Sequence, residues 1–121
     1  MSLDILAVDD SRTIRDLLNL ALTGAGFKAH LADDGIHALE VLKTLKPDAI
    51  ITDINMPNLN GFGLIKAIRE QDEFKTVPIL VLTTEAAPEL KAKARLSGAT
   101  GWVIKPFDPP KLVRAIQMVA G

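Results

Sequence analysis

Five residues carry the chemistry open to this sequence: Asp9, Asp10, Asp53, Thr83 and Lys105. Each follows or closes a short apolar run that reads as a strand. If those strands are parallel, their carboxyl ends line one edge of a sheet, where a ligand crevice forms. Three carboxylates gathered there repel one another. Proton uptake relieves that repulsion, and so does a hard cation with oxygen ligands. No His or Cys accompanies these positions to favour zinc. The expected cofactor is therefore Mg²⁺, which keeps several waters and accepts one or two carboxylates with an anionic oxygen. Lys105 adds a positive point charge and Thr83 a hydroxyl donor, and such a set is suited to a phosphoryl group. Asp53 lies between them in strand order, where a carboxylate can act as nucleophile and form an acyl phosphate.

Taken singly, each residue has a plainer reading. Asp10 or Ser11 alone is a helix cap, Asp53 ahead of Asn55 and Pro57 a turn residue, and Lys105-Pro106 a strand exit. Their joint placement on one sheet edge is what points to a site.

The elements that must position these residues follow from hydrophobic spacing. Residues 5–8, 49–51, 79–82 and 102–104 are short apolar runs rich in β-branched side chains, the pattern of strands buried on both faces. Residues 27–31 alternate apolar and polar, as an edge strand does. Between them run helical stripes: Ile14, Leu17, Leu18, Ala21 and Leu22, ended by Gly24 and Gly26; Ile36, Leu39, Leu42 and Leu45, ended near Pro47; and Phe62, Ile65 and Ile68. From Leu90 to Leu96 the stripe is weak. The last helix is expected to open with Asp108 as cap and Pro109 in its first turn. Alternating strands and helices imply an α/β fold, a parallel sheet covered on both faces.

With 121 residues, the chain is expected to form a single domain over residues 1–121. Its 14 basic and 15 acidic residues leave a net charge of −1. That balance argues against nucleic acid as a partner and against a polybasic membrane anchor. No apolar run approaches the length of a membrane span, no signal peptide precedes the first strand, and Cys is absent, so a cytoplasmic location is expected. A monomer is the default.

Four segments together, in this order and spacing, resemble receiver domains of two-component response regulators, and among them the single-domain CheY-like chemotaxis regulators. They are Val8-Asp9-Asp10-Ser11; Thr52-Asp53-Ile54-Asn55-Met56-Pro57 with Gly61; Leu82-Thr83-Thr84; and Lys105-Pro106-Phe107. The resemblance covers essentially the whole chain. It implies a flavodoxin-like, doubly wound, three-layer α/β/α fold, with five parallel strands in the order 2-1-3-4-5 and five helices. It implies Asp53 as phosphoacceptor, with Asp10 and Asp53 binding Mg²⁺ directly, Asp9 acting mainly through water, and the backbone carbonyl of Asn55 adding an oxygen. Thr83 and Lys105 would hold the phosphoryl oxygens, and the peptide before Pro106 would be cis. Asn55 and Glu85 would rim the site and set the rate of dephosphorylation, a pairing suited to a short-lived signal.

By the same resemblance, a phosphoryl group arrives from a phosphohistidine on a sensor histidine kinase, CheA-like in kind, or from a small phosphodonor. The domain promotes its own phosphorylation and dephosphorylation without being an enzyme for another substrate, and a phosphatase is a possible partner. The output face would be the fourth helix, fifth strand and fifth helix, and the target the flagellar motor switch protein. The alternative is a shuttle that passes phosphate to a histidine phosphotransfer protein. A haloacid-dehalogenase-like phosphohydrolase also uses an Asp nucleophile with Mg²⁺, but its second acid would have to stand where Asn55 is. A flavodoxin-like FMN carrier needs a phosphate loop without Asp9 and Asp10.

Two positions depart from the family. Trp102 stands where chemotaxis regulators usually carry Tyr or Phe as a switch residue. It is larger and lacks the Tyr hydroxyl, which puts an inward swing in doubt. His37 stands where many receivers carry Glu or Gln, and His37 and His30 read as exposed or packing residues. Ala86 is small enough to leave the switch room, and Pro88 is expected to stiffen the loop before the fourth helix.

Overall fold

The computed structural model describes residues 2–120. Five strands, β1 (Asp4–Val8), β2 (Lys28–Ala32), β3 (Ala49–Thr52), β4 (Ile79–Thr83) and β5 (Gly101–Ile104), alternate with α1 (Arg12–Gly24), α2 (Gly35–Val41), α3 (Gly61–Arg69), α4 (Pro88–Ser97) and α5 (Pro109–Ala120). A short 3₁₀ turn, Asp72–Phe74, follows α3. All strand pairs are parallel, and the order is β2-β1-β3-β4-β5. The expected flavodoxin-like order is therefore the one observed.

Side chains alternate across each strand and build two cores. Leu6, Val8, Ile50 and Val81 face Ile65, Ile68 and Phe74 on the side of α2, α3 and α4. Ile5, Ala7, Ile51, Leu80 and Leu82 face Leu18, Leu22, Leu112 and Ile116 of α1 and α5. Both faces of β1, β3 and β4 are thus buried, which is why these strands read as unbroken apolar runs. Each fully buried Leu or Ile contributes roughly 1.5–3 kcal/mol relative to exposure. β2, at the sheet edge, keeps only Ala32 fully buried.

Three element boundaries differ from expectation. The apolar stripe of α2 continues through Leu42 and Leu45, but the helix ends at Val41. Lys43 and Thr44 N–H groups instead donate three residues back, to Glu40 and Val41 carbonyls. These tighter turns keep Leu42 and Leu45 against the core without continuing the helix. α4 starts earlier than its stripe suggests: Pro88 lies in its first turn, so it opens the helix and does not merely stiffen a loop. Its stripe is weak because Ala94 is its only fully buried residue. β2 is shifted one residue, to 28–32.

Candidate functional site

The parallel sheet delivers its strand ends to one edge, as the argument from sequence requires. Asp9 follows β1, Asp53 follows β3, Thr83 closes β4 and Lys105 follows β5. Backbone bonds carry the register past the strands. Asp9 N–H donates to the Ala32 carbonyl at 3.1 Å, Asp53 N–H to Val8 at 3.0 Å and Lys105 N–H to Thr83 at 2.8 Å.

Carboxylate oxygens of Asp9, Asp10 and Asp53 lie within 4.8 Å of one another. The three acids differ sharply in environment. Asp9 is 1% exposed, Asp53 8% exposed, and Asp10 open to solvent. Asp9 is heavily engaged: its Oδ1 accepts from Ser11 N–H at 2.9 Å, and its carbonyl accepts from Arg15 Nη1 at 2.8 Å. Ser11 in turn caps α1, its hydroxyl accepting from Ile14 N–H at 3.3 Å. Asp53 Oδ1 accepts from Ile54 N–H at 2.7 Å.

Lys105 reaches over both inner acids. Its ammonium donates to Asp53 Oδ2 at 2.9 Å and lies 2.6 Å from Asp9 Oδ2. The Asp9 contact is an ion pair, since Oδ2 is buried without a well-aligned hydrogen bond among the described residues. Burial pushes the Asp9 carboxyl above its ordinary pKa, and Lys105 only partly offsets that. Burial also opposes the Lys105 charge, but Asp9 and Asp53 outweigh it and hold the ammonium's pKa above the ordinary lysine value. Three acids and one lysine leave an excess of negative charge. The donor set is all oxygen, and one buried carboxylate oxygen lacks a proper donor. These features fit a hard divalent cation such as Mg²⁺.

Around this floor lie the other residues singled out from sequence. Thr83 is buried, and its hydroxyl accepts from Glu85 N–H at 3.3 Å. Glu85 and Asn55 are exposed at the rim. The Lys105-Pro106 peptide is cis. Gly61 is required by close approach. A Cβ there would drive into the Asp53 carbonyl and the Ile54 Cα, and Gly61 N–H donates to Ile54 at 2.8 Å.

Trp102 is half-buried against the core on the α4 side. It lacks a hydroxyl, but the indole supplies a donor of its own: Nε1 bonds the Glu85 carbonyl at 2.9 Å. His37 is exposed beside Asp33, and His30 pairs with Asp4, both with 2.9 Å contacts away from the acidic floor. Sequence reasoning missed Arg15, Asp34 and Asn58. Asn58 had a legible signal: Asn tolerates the left-handed conformation a loop needs, and its φ is 68°.

Residues 5–117 match the response regulator receiver domain. Among curated proteins, the chain is 37% identical to the chemotaxis protein CheY-3 of Vibrio cholerae, over 98% of this chain and 92% of that protein. Among solved structures it superposes on the chemotaxis protein CheY4 of Vibrio cholerae with a TM-score of 0.95 and 44% identity, covering 98% of this chain and 99% of that one. It also superposes on the receiver domain of the sensor histidine kinase PA1611 from Pseudomonas aeruginosa, with a TM-score of 0.92 and 29% identity, covering 100% and 99%. That structure has a magnesium ion coordinated in its active-site cleft.

Proposed function

Because the chain belongs to the response regulator receiver domain family, we propose that it accepts a phosphoryl group on Asp53 and relays that event to its α4-β5-α5 face. The carrying observation is the position of Asp53. It stands in a three-acid pocket, holds Lys105 at 2.9 Å, and keeps a small exposed surface for an incoming donor. Asp9 is too buried for that role, and Asp10 has no ammonium beside it among the described residues.

Asp9, Asp10 and Asp53 would hold Mg²⁺, with the Asn55 carbonyl as a further oxygen. The ion, when bound, supplies positive charge that lets the anionic donor approach. A carboxylate oxygen of Asp53 forms a bond to phosphorus while the bond to the donor histidine's nitrogen breaks. That nitrogen leaves with the bonding electron pair and is protonated from solvent. Lys105 turns toward the phosphoryl oxygens and offsets their charge. The Thr83 hydroxyl leaves Glu85 N–H and donates to a phosphoryl oxygen. Phosphorylation thus biases two arrangements of residues 83–87. Asn55 and Glu85, at the rim, control access of water to the acyl phosphate.

The donor is a sensor histidine kinase of the CheA-like kind. Similarity to proteins named for chemotaxis supports the flagellar motor switch protein as the target. The near-neutral charge and the absence of any helix able to cross a membrane among the described residues support a cytoplasmic, membrane-free setting.

Incubation with acetyl phosphate and Mg²⁺ tests the assignment. Intact mass should rise by one phosphoryl group, and Asp53→Asn should abolish the gain. Equal labelling of that variant sinks the assignment.

A further inference from the structure

The loop joining β3 to α3, residues 53–60, carries both Asp53 and the Asn55 carbonyl, yet little of it is bonded to the sheet. Its outer half is instead fastened to the first turn of α2. Asn58 Nδ2 donates to Asp34 Oδ2 at 2.7 Å, while Asp34 Oδ1 caps α2 by accepting from His37 N–H at 2.8 Å. One carboxylate therefore serves two elements at once. Leu59, the next residue, lies directly over Gly35. A Cβ at Gly35 would meet the Leu59 carbonyl oxygen at 2.6 Å and its Cβ at 2.8 Å. Leu59 also covers Gly63, where a Cβ would meet its Cδ1 at 2.7 Å. Asn58 holds a left-handed φ of 68°, which costs a non-glycine residue energy unless its surroundings enforce it. The Asp34 bond is such an enforcement.

We propose that Asp34 is a positioning residue for cation binding. Through Asn58 it fixes the loop that presents the Asn55 carbonyl and the Asp53 carboxylate, so the metal site meets a preformed set of oxygens. This rests on the receiver reading above. It adds a residue that touches neither metal nor phosphoryl group, on an element the acidic floor does not use. Such outer partners commonly tune metal affinity through the ligands they hold.

Two variants separate the tether from the fold. Asn58→Gly keeps the left-handed backbone accessible and deletes the side-chain bond. Asp34→Ser keeps an N-cap but gives up the second acceptor. Asp34→Asn keeps one oxygen for the cap and gains an amide that can donate to the Asn58 side-chain oxygen once that side chain turns over, so it serves as the conservative control. Mg²⁺ titration by calorimetry, with no phosphodonor present, should show binding weakened about three- to tenfold in Asn58→Gly and in Asp34→Ser, the equivalent of one partly exposed hydrogen bond. The double variant should be no weaker than either single, because both delete the same bond. Asp34→Asn should bind within about twofold of the parent chain, because the new amide donates to the Asn58 side-chain oxygen and so keeps the tether. In Asn58→Gly, labelling by acetyl phosphate should need more Mg²⁺ for its half-maximal rate yet reach the parent rate at saturation.

Unchanged Mg²⁺ affinity in Asn58→Gly, with normal binding by the parent, overturns the positioning role and leaves the receiver reading standing. A parent chain that takes up no Mg²⁺ overturns both. If Asp34→Ser does not fold, Asn58→Gly, at an exposed loop position, still decides the question.

Discussion

The indole Nε1 of Trp102 donates to the backbone carbonyl of Glu85 at 2.9 Å. The N–H of the same Glu85 donates to the Thr83 hydroxyl at 3.3 Å. Glu85 is therefore held by its backbone from both sides, with Thr83 at the end of β4 beside the acidic floor and Trp102 on β5. Any movement of the Thr83 hydroxyl toward a phosphoryl group breaks its bond from Glu85 N–H and frees the loop to shift against the Trp102 bond. This is a physical route from the acidic floor to the face proposed for output.

Trp102 is the only indole, so its emission reports on this route. Addition of beryllofluoride with Mg²⁺ should change its intensity or wavelength, and a flat titration counts against the coupling. Trp102→Phe keeps an aromatic body but deletes the N–H donor. Amide exchange at Glu85 and Ala86 should then quicken about three- to tenfold, the equivalent of one ordinary hydrogen bond.

A second expectation concerns stability. Asp9 is buried with its carboxyl pKa raised, so its charge opposes folding when no cation is bound. As pH rises, the unfolded chain loses this proton near the ordinary value of 3.8 and the folded chain only higher. Between the two, the folded state holds more protons, so Asp9's contribution is most favourable below 3.8 and is lost as pH rises through its folded pKa. At pH 7, Asp9→Asn should raise the metal-free thermal midpoint, by about 1 kcal/mol or roughly 4 °C. The same variant should lose most of the stabilisation that Mg²⁺ gives the parent. A lower midpoint would show that the Lys105 pair outweighs burial.

Much of this arrangement was legible before any coordinates, and the exceptions have physical causes. Unbroken apolar runs marked β1, β3 and β4 because helices cover both their faces. Alternation marked β2 at one edge; β5, at the other, carried no such sign, and its run 102–104, expected to be buried on both faces, is only partly buried, with Ile104 exposed. The strand-end acids and Lys105 could be grouped because parallel strands share one carboxyl edge. Apolar spacing, however, records burial and not hydrogen bonding, so the stripe ran on through Leu42 and Leu45 although Lys43 and Thr44 between them bond only three residues back and the helix ends at Val41. Trp102 looked deficient because only its missing hydroxyl was weighed, when the indole N–H was available. Asp34 and Asn58 meet across 24 positions of sequence, and neither has a periodicity to betray it.

Lys105 carries a third expectation. Its removal leaves Asp9 and Asp53 facing each other without a cation, a loss of about 3 kcal/mol for a buried pair broken on one side. Lys105→Ala should therefore lower the metal-free midpoint, and Mg²⁺ should restore more stability to it than to the parent. Phosphoryl transfer to Asp53 should persist at high Mg²⁺, but without the gain in partner affinity. A gain in partner affinity on phosphorylation of Lys105→Ala as large as the parent's would falsify the role given to the ammonium. Because the Lys105 pKa is raised in the fold, the ion pair's contribution is fully present below 10.5 and fades only as pH climbs through the higher folded value. A urea series from pH 6 to 9 should accordingly show no step traceable to Lys105.

Helix α4, on the proposed output face, is anchored at only one end. Ala87 gives α4 no side-chain cap, and Ala94 is its one fully buried residue. Its carboxyl end is gripped by Arg69 of α3, whose Nε and Nη2 donate to the Gly98 carbonyl at 3.0 and 2.8 Å while Nη1 reaches Phe74 at 2.8 Å. Gly98 takes a φ of 115°, and a Cβ there would meet Arg69 Cγ at 2.7 Å, so glycine is required by torsion and by contact alike. Lysine cannot reproduce this fork of donors. Arg69→Lys should cost about 2 kcal/mol in urea unfolding, from two carbonyls left short of charged donors. It should also quicken amide exchange over Ala94–Gly98 more than over the amino end of α4, which is already loose. Equal quickening along the whole helix would show that α4 moves as one body, and that Arg69 does not set its pivot.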